Sequence, residues 1–230
     1  MKFSFVISAI VAALTAAQNS QSPIDLPILK TVPNQANLSF LFEPAPAVIA
    51  HDNHTIKATW NAGANSHLTL NGKAYKSVQF HTHYPSEHTV SGKQYPFEVH
   101  FVHSDKDSNL AVVGVFFDVK ENAEANPFME QFLSGFSSLH KPGDNFTVAS
   151  LDPSSLKLSV KNTNAYRYKG SLTTPPFTEG VEWTVLEEVQ TMSTAQFDEY
   201  KHVMHETNAR EVQPLNGRTV TFLAKDRAQC

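Results

Sequence analysis

Cysteine is nearly absent from this chain, with Cys230 the single one among 230 residues. That excludes an internal disulfide and the multi-thiolate clusters that hold structural zinc or iron–sulfur groups, and it leaves Cys230 as a free thiol or a bridge to another molecule. Long apolar runs are missing as well. The best stretch, Phe3 to Leu14, falls short of the roughly 18 residues that a membrane-spanning helix needs. A surplus of positive charge is also lacking. The 18 Lys and Arg are outnumbered by 22 Asp and Glu and are scattered, so nucleic acid and anionic membranes are poor partners, and a small molecule is expected instead. No repeat, low-complexity tract or linker divides the chain.

The short apolar run suits a leader. Lys2 precedes it and Thr15-Ala16-Ala17 follows, which predicts a signal peptide over residues 1–17, one domain over 18–230, and a secreted, extracellular product. Asn37, Asn53 and Asn145 each stand in an Asn-x-Ser/Thr triplet, so all three are expected glycosylation sites. The expected state is a monomer, with Cys230 as one route to a linked dimer.

Most of the chain reads as short strands between turn signals: Lys57 to Trp60, Ser66 to Leu70, Ser77 to Tyr84, Phe97 to His103 and Leu110 to Val119. Asn71-Gly72 and Asn216-Gly217 both read as two-residue hairpin turns, because both residue types tolerate positive φ. Two helices interrupt the pattern. Asn126-Pro127 caps one whose apolar face carries Phe128, Phe132 and Phe136. Ser193 and Gln196 form a capping box for the other, with Phe197, Tyr200 and Met204 on one side. The expected fold is a single, mainly β domain with a few peripheral helices.

Eleven histidines are present, and three carry the chemistry. His81 and His83 are two apart, so on a strand they project from one face. An antiparallel neighbour running through Glu98 to His103 would bring His100 beside them. Three imidazoles with an open fourth position suit a catalytic zinc ion. Gln79 and Glu98 each precede a histidine by two residues, where they can accept the second ring N–H and fix its tautomer.

At this point the chain resembles the α-carbonic anhydrase family. The blocks that carry the resemblance are Gln21-Ser22-Pro23-Ile24-Asp25, Gln79 to His83, Ser86-Glu87-His88-Thr89, Glu98 to His103, Gly170 to Pro176 and Gln213-Pro214-Leu215-Asn216. The resemblance implies a large, mostly antiparallel, twisted central sheet and reversible hydration of carbon dioxide to bicarbonate by a zinc-bound hydroxide. It implies one zinc on His81, His83 and His100, with Gln79, Glu98 and the Asn208 carbonyl behind them. Thr173 would accept from the hydroxide and donate to Glu87, and Thr174 would help to hold bicarbonate. Val102, Val112, Leu172, Val181 and Trp183 would form the apolar wall for carbon dioxide, and His54 would carry the proton away. Relatives carry a further aromatic-rich segment before the Gln-Ser-Pro block, where only Gln18-Asn19-Ser20 follow the expected leader here. Phe177 stands where secreted relatives have a loop cysteine. A non-catalytic binding or storage protein on the same fold is the alternative reading; a hydrolase with its own nucleophile is disfavoured, because no serine-triad signature is present.

Overall fold

The computed structural model describes residues 19–28, 38–60, 66–158 and 164–224. The expected leader, Asn37 and Cys230 lie outside these.

Strand β1 (Asp25–Leu26) comes first, followed by β2 (Leu38–Leu41), β3 (Ala45–His51), β4 (Ile56–Trp60), β5 (His67–Leu70) and the long β6 (Lys73–His83). Two short strands, β7 (Thr89–Val90) and β8 (Lys93–Gln94), precede the central pair β9 (Phe97–Ser104) and β10 (Leu110–Lys120). Helix α1 (Pro127–Leu133), β11 (Asn145–Leu151), β12 (Ala165–Ser171), β13 (Glu179–Leu186), β14 (Gln190–Ser193), helix α2 (Thr194–Met204) and β15 (Thr221–Leu223) complete the described chain. Twelve strands share one sheet whose main path is β11-β3-β4-β6-β9-β10-β13-β12-β15, and β1, β7 and β8 form a small separate one. The large sheet is mostly antiparallel, as expected, but mixed: β10 pairs with β13 and β14 in parallel.

Alternation along the central strands puts two apolar clusters on opposite faces. Val113, Val115 and Phe117 of β10 join Val99 and Phe101 of β9 in the larger core, which both helices cover. Val112 and Phe116 of β10 join Val102 of β9 and Trp183 of β13 in the second. Because successive strand residues point to opposite faces, one register fixes both cores at once. His81, His83, Glu98 and His100 stand on the second face by the same alternation.

Helix α1 begins as expected: the Asn126 side chain accepts from the N–H groups of Phe128 and Met129, and Pro127 sits in the first turn. It ends at Leu133, so Phe136 belongs to a following 3-10 turn, yet stays buried with its ring 5.1 Å from that of Phe132. The capping box of α2 is formed, and Gln196 also bonds both the N–H and the carbonyl of Asn126, tying the two helix starts together.

Asn71 and Gly72 take positive φ and close the β5–β6 hairpin. Asn216-Gly217 departs from expectation. Both residues take positive φ in a turn, with the Arg218 N–H on the Leu215 carbonyl, but no strands flank them. Pro214 offers no N–H, Gln213 donates its own to Pro23, and the Arg218 guanidinium takes the Pro214 and Leu215 carbonyls, so the ladder a hairpin needs has no free partners.

Candidate metal centre

Strands β6 and β9 run antiparallel with His81 opposite His100, and His83 follows two residues on, so the sheet's own spacing gathers the three rings. Ring centres are 5.0 Å apart for His81–His83, 5.3 Å for His81–His100 and 4.6 Å for His83–His100. One nitrogen from each lies within 4.8 Å of the others. His83 and His100 are buried and His81 is half-buried.

Each ring has one nitrogen beside an acceptor. His81 Nδ1 is 3.0 Å from Gln79 Oε1, His83 Nδ1 is 3.3 Å from the Asn208 carbonyl, and His100 Nε2 is 2.9 Å from Glu98 Oε1. Those acceptors fix the ring protons and leave His81 Nε2, His83 Nε2 and His100 Nδ1 turned inward as lone-pair donors. His83 Nε2 and His100 Nδ1 are buried without a hydrogen-bond partner, as is Glu87 Oε2, which lies 3.4 and 3.7 Å from them; His100 Nε2, although 2.9 Å from Glu98 Oε1, is not aligned for a hydrogen bond. Buried polar atoms are rarely left unpaired, so three converging on one point fit a cation. Burial, then the neighbouring His100, hold His83 down to about 3, so its imidazole is neutral and ready to ligate.

Glu98 is the hub behind the trio. Its Oε1 meets His88 Nδ1 at 2.8 Å as well as His100, and its Oε2 accepts from the backbone N–H groups of Glu87 and His88, each at 2.9 Å. Burial alone would raise this carboxyl, but His88 and His100 reverse the effect and hold it well below the usual range. Room for it comes from Gly114, opposite His100 on β10, where a Cβ would stand 2.9 Å from Glu98 Oε1. Behind His88 the chain of contacts continues to the Tyr168 hydroxyl at 2.7 Å and on to Ser22 Oγ at 2.8 Å.

Glu87 is fully buried, and burial pushes it up to about 8 despite the Arg210 backbone N–H at 2.9 Å and a hydrogen bond with the Thr173 side chain. Arg210 also reaches Gln21 Oε1 at 3.0 Å and the Ser22 carbonyl at 2.6 Å, with its guanidinium 3.8 Å above the Phe177 ring. Where a disulfide is impossible, these polar and cation–π contacts join the Gln-Ser-Pro block to the Thr-Thr-Pro-Pro loop.

A cleft of about 570 Å³ reaches the trio at His83, with Thr173, Thr174, His54 and Asn53 also among its lining residues. His54 is exposed, and its carbonyl accepts from Asn208 Nδ2 at 2.9 Å. Asn53 and Asn145 are exposed. Val102, Val112, Val181 and Trp183 lie side by side across β9, β10 and β13, with Leu172 packed against them. The first four are nearly fully covered packed core, Leu172 is half-buried, and none of the five is among the residues lining the cleft. Sequence reasoning missed His88, Tyr168 and Arg210. His88 stands in the Ser86 to Thr89 block but was given no role, while Tyr168 and Arg210 carry no pattern in the chain; the fold brings them to Glu98 and Glu87.

A wide sheet bearing three converging imidazoles, two buried and one half-buried, defines a β-sheet protein with a metal-competent centre that an open cleft reaches at His83. The family model of eukaryotic-type carbonic anhydrase matches residues 11–224. Alpha carbonic anhydrase 4 of Arabidopsis thaliana is 37% identical over 207 residues, covering 88% of this chain and 74% of that protein. The α-carbonic anhydrase of Thermovibrio ammonificans, solved with the inhibitor sulfanilamide, superposes with a TM-score of 0.76 at 40% identity, covering 88% of this chain and 87% of the other. Dioscorin, solved with ascorbate, superposes at 0.76's level or better, with a TM-score of 0.81 at 28% identity, covering 91% and 87%. The chain belongs to the α-carbonic anhydrase family, whose enzymes interconvert carbon dioxide and bicarbonate.

Proposed function

We propose that this chain catalyses reversible hydration of carbon dioxide at one zinc ion held by His81 Nε2, His83 Nε2 and His100 Nδ1. The observation that carries the reading is the convergence of two unpartnered buried ring nitrogens on one point, with the opposite nitrogens of His81 and His83 hydrogen-bonded and that of His100 2.9 Å from Glu98 Oε1. The donor set fits zinc: three neutral imidazoles match its catalytic coordination, and no thiolate competes. Zinc there supplies the Lewis acidity that makes water ionise at about pH 7, a value known for carbonic anhydrases as a class.

The chain's own residues orient the reaction. Thr173, with its hydroxyl proton committed to Glu87, can only accept from the attacking oxygen, which aims that oxygen's lone pair at carbon dioxide. The Arg210 N–H holds Glu87 in place for this. Thr174, on the cleft wall, positions bicarbonate, and Leu172 with the edge of the Val102, Val112, Val181 and Trp183 cluster offers the apolar surface that carbon dioxide needs. His54, exposed and lining the cleft, carries the released proton to solvent, since an imidazole can take a proton on one ring nitrogen and give one up from the other. A glycan on Asn53, next in sequence and also lining the cleft, would crowd it; mapping occupancy at Asn53 in the exported protein tests both glycosylation and secretion.

The likeness to dioscorin supports an alternative, a protein of this fold that binds an organic ligand without turnover. The complete trio with Glu87 and Thr173 favours the enzyme. Zinc content together with hydration activity decides between them: one zinc per chain with carbon dioxide hydration, both lost in His83→Ala, is the enzyme's result, and zinc without hydration, or purification without zinc despite supplementation, would defeat it.

A further inference from the structure

Away from the deep centre, a second group of ligating side chains lines a concavity that meets the cleft at His205. His202 sits in the last turn of α2, and the helix ends at His205, whose φ of 59° turns the chain aside. Their rings are 6.1 Å apart and inclined at 73°. His140 and Glu199 line the same concavity of about 360 Å³, over an apolar floor of Phe136, Leu139 and Val203. All four polar residues are exposed.

We propose that this concavity is a second site for a divalent transition-metal ion of the zinc and copper type, with His202 and His205 as anchors and His140 and Glu199 completing it. Two imidazoles on one ion, at bonds of about 2.0–2.1 Å, hold their ring centres roughly 5–6 Å apart. The deep trio spans 4.6 to 5.3 Å, and the rim pair at 6.1 Å needs a closure on the order of 1 Å, within reach of a rotamer adjustment in exposed side chains. Among the described residues, only the deep trio and the His88–Glu98–His100 group behind it already hold three donors within 4.8 Å. The rim site therefore assembles on binding, and ordering four free side chains makes it weaker than the deep one. The nearby Lys201 does not oppose a cation, because its ammonium is engaged by Asp198 at 2.8 Å. Carboxylate and imidazole together select a borderline ion over magnesium or calcium. His205 also lines the catalytic cleft, so an ion on the rim would fix a side chain at its mouth.

The inference does not depend on the zinc reading of the deep centre, and zinc titration of the full chain separates the two. Protein already carrying one equivalent should take up a second, with a dissociation constant on the order of micromolar. The His202→Ala/His205→Ala double variant should weaken that second equivalent at least about tenfold while keeping the first, which also reports that it has folded. His140→Ala should weaken it less. In His83→Ala the tight equivalent should disappear and the rim equivalent remain. No second equivalent in the unaltered chain, or one whose affinity the double variant leaves unchanged, would overturn the proposal.

Discussion

Glu98→Gln is the most informative single change behind the trio, because the two side chains have nearly the same shape and differ in what they can accept. The carboxylate faces four donors: His88 Nδ1 and, 2.9 Å away but less well aligned, His100 Nε2 at Oε1, and the Glu87 and His88 backbone N–H groups at Oε2. A glutamine has one acceptor oxygen. Whichever way its amide turns, two of these donors face an NH2 group, and the site is fully buried, so water cannot take their place. Each buried donor left unpaired costs about 1–3 kcal/mol, which gives about 2–6 kcal/mol for two. That is a large part of the stability of a typical domain. Loss of the acceptor at His100 Nε2 also frees that ring to turn, and changes behind a metal ligand commonly lower affinity by about 10–100-fold. Urea unfolding of metal-free protein at pH 7 measures the first effect, and competition with a chelator measures the second. An unfolding free energy within about 0.5 kcal/mol of the original, with zinc affinity unchanged, would refute the accounting of donors.

Three further outcomes are expected. His103 is fully buried, and burial holds its imidazole down to about 4, so the unfolded chain binds a proton that the folded chain does not. Stability should therefore be full above about pH 6.5 and fall by about 3 kcal/mol as pH drops to 4; melting curves of His103→Phe should show a shallower acid slope than the original, and equal slopes would contradict the assignment. Glu87, raised to about 8 by burial, is protonated at pH 7 in metal-free protein, and a cation beside it favours the charged form, so Glu87→Gln should release about one proton fewer on zinc uptake, read by calorimetry in buffers of different ionisation heat. Gly114→Ala should destabilise by about 1–3 kcal/mol and loosen metal binding, because the added methyl meets Glu98 Oε1 at 2.9 Å; thermal unfolding and chelator competition measure both.

Much of the centre was legible in the chain because strand alternation is a strong rule. His81 and His83 must share a face, an antiparallel β9 supplies His100, and the same period-two step puts Gln79 and Glu98 where they can meet the rings. Helix starts were legible for a similar reason, since Asn126 and Ser193 satisfy nearby N–H groups by local bonds. Contacts that depend on chain crossings were not. His88 and Tyr168 meet across 80 residues, and Arg210 reaches Glu87 across 123, with no periodicity to announce either. The Asn216-Gly217 turn was read correctly as a turn, but its flanks bond to distant carbonyls, which local turn chemistry does not encode. Glu98 was expected to serve one ring; it also organises the backbone that carries Glu87.

The central claim is tested most directly by carbon dioxide hydration, followed by stopped flow on zinc-loaded protein and on His83→Ala purified in parallel. The account predicts rapid hydration in the first and loss of at least about a thousandfold in the second, since removing one of three ligands should empty the centre. Equal rates in the two proteins, or a fully zinc-loaded chain that does not hydrate carbon dioxide, would contradict it.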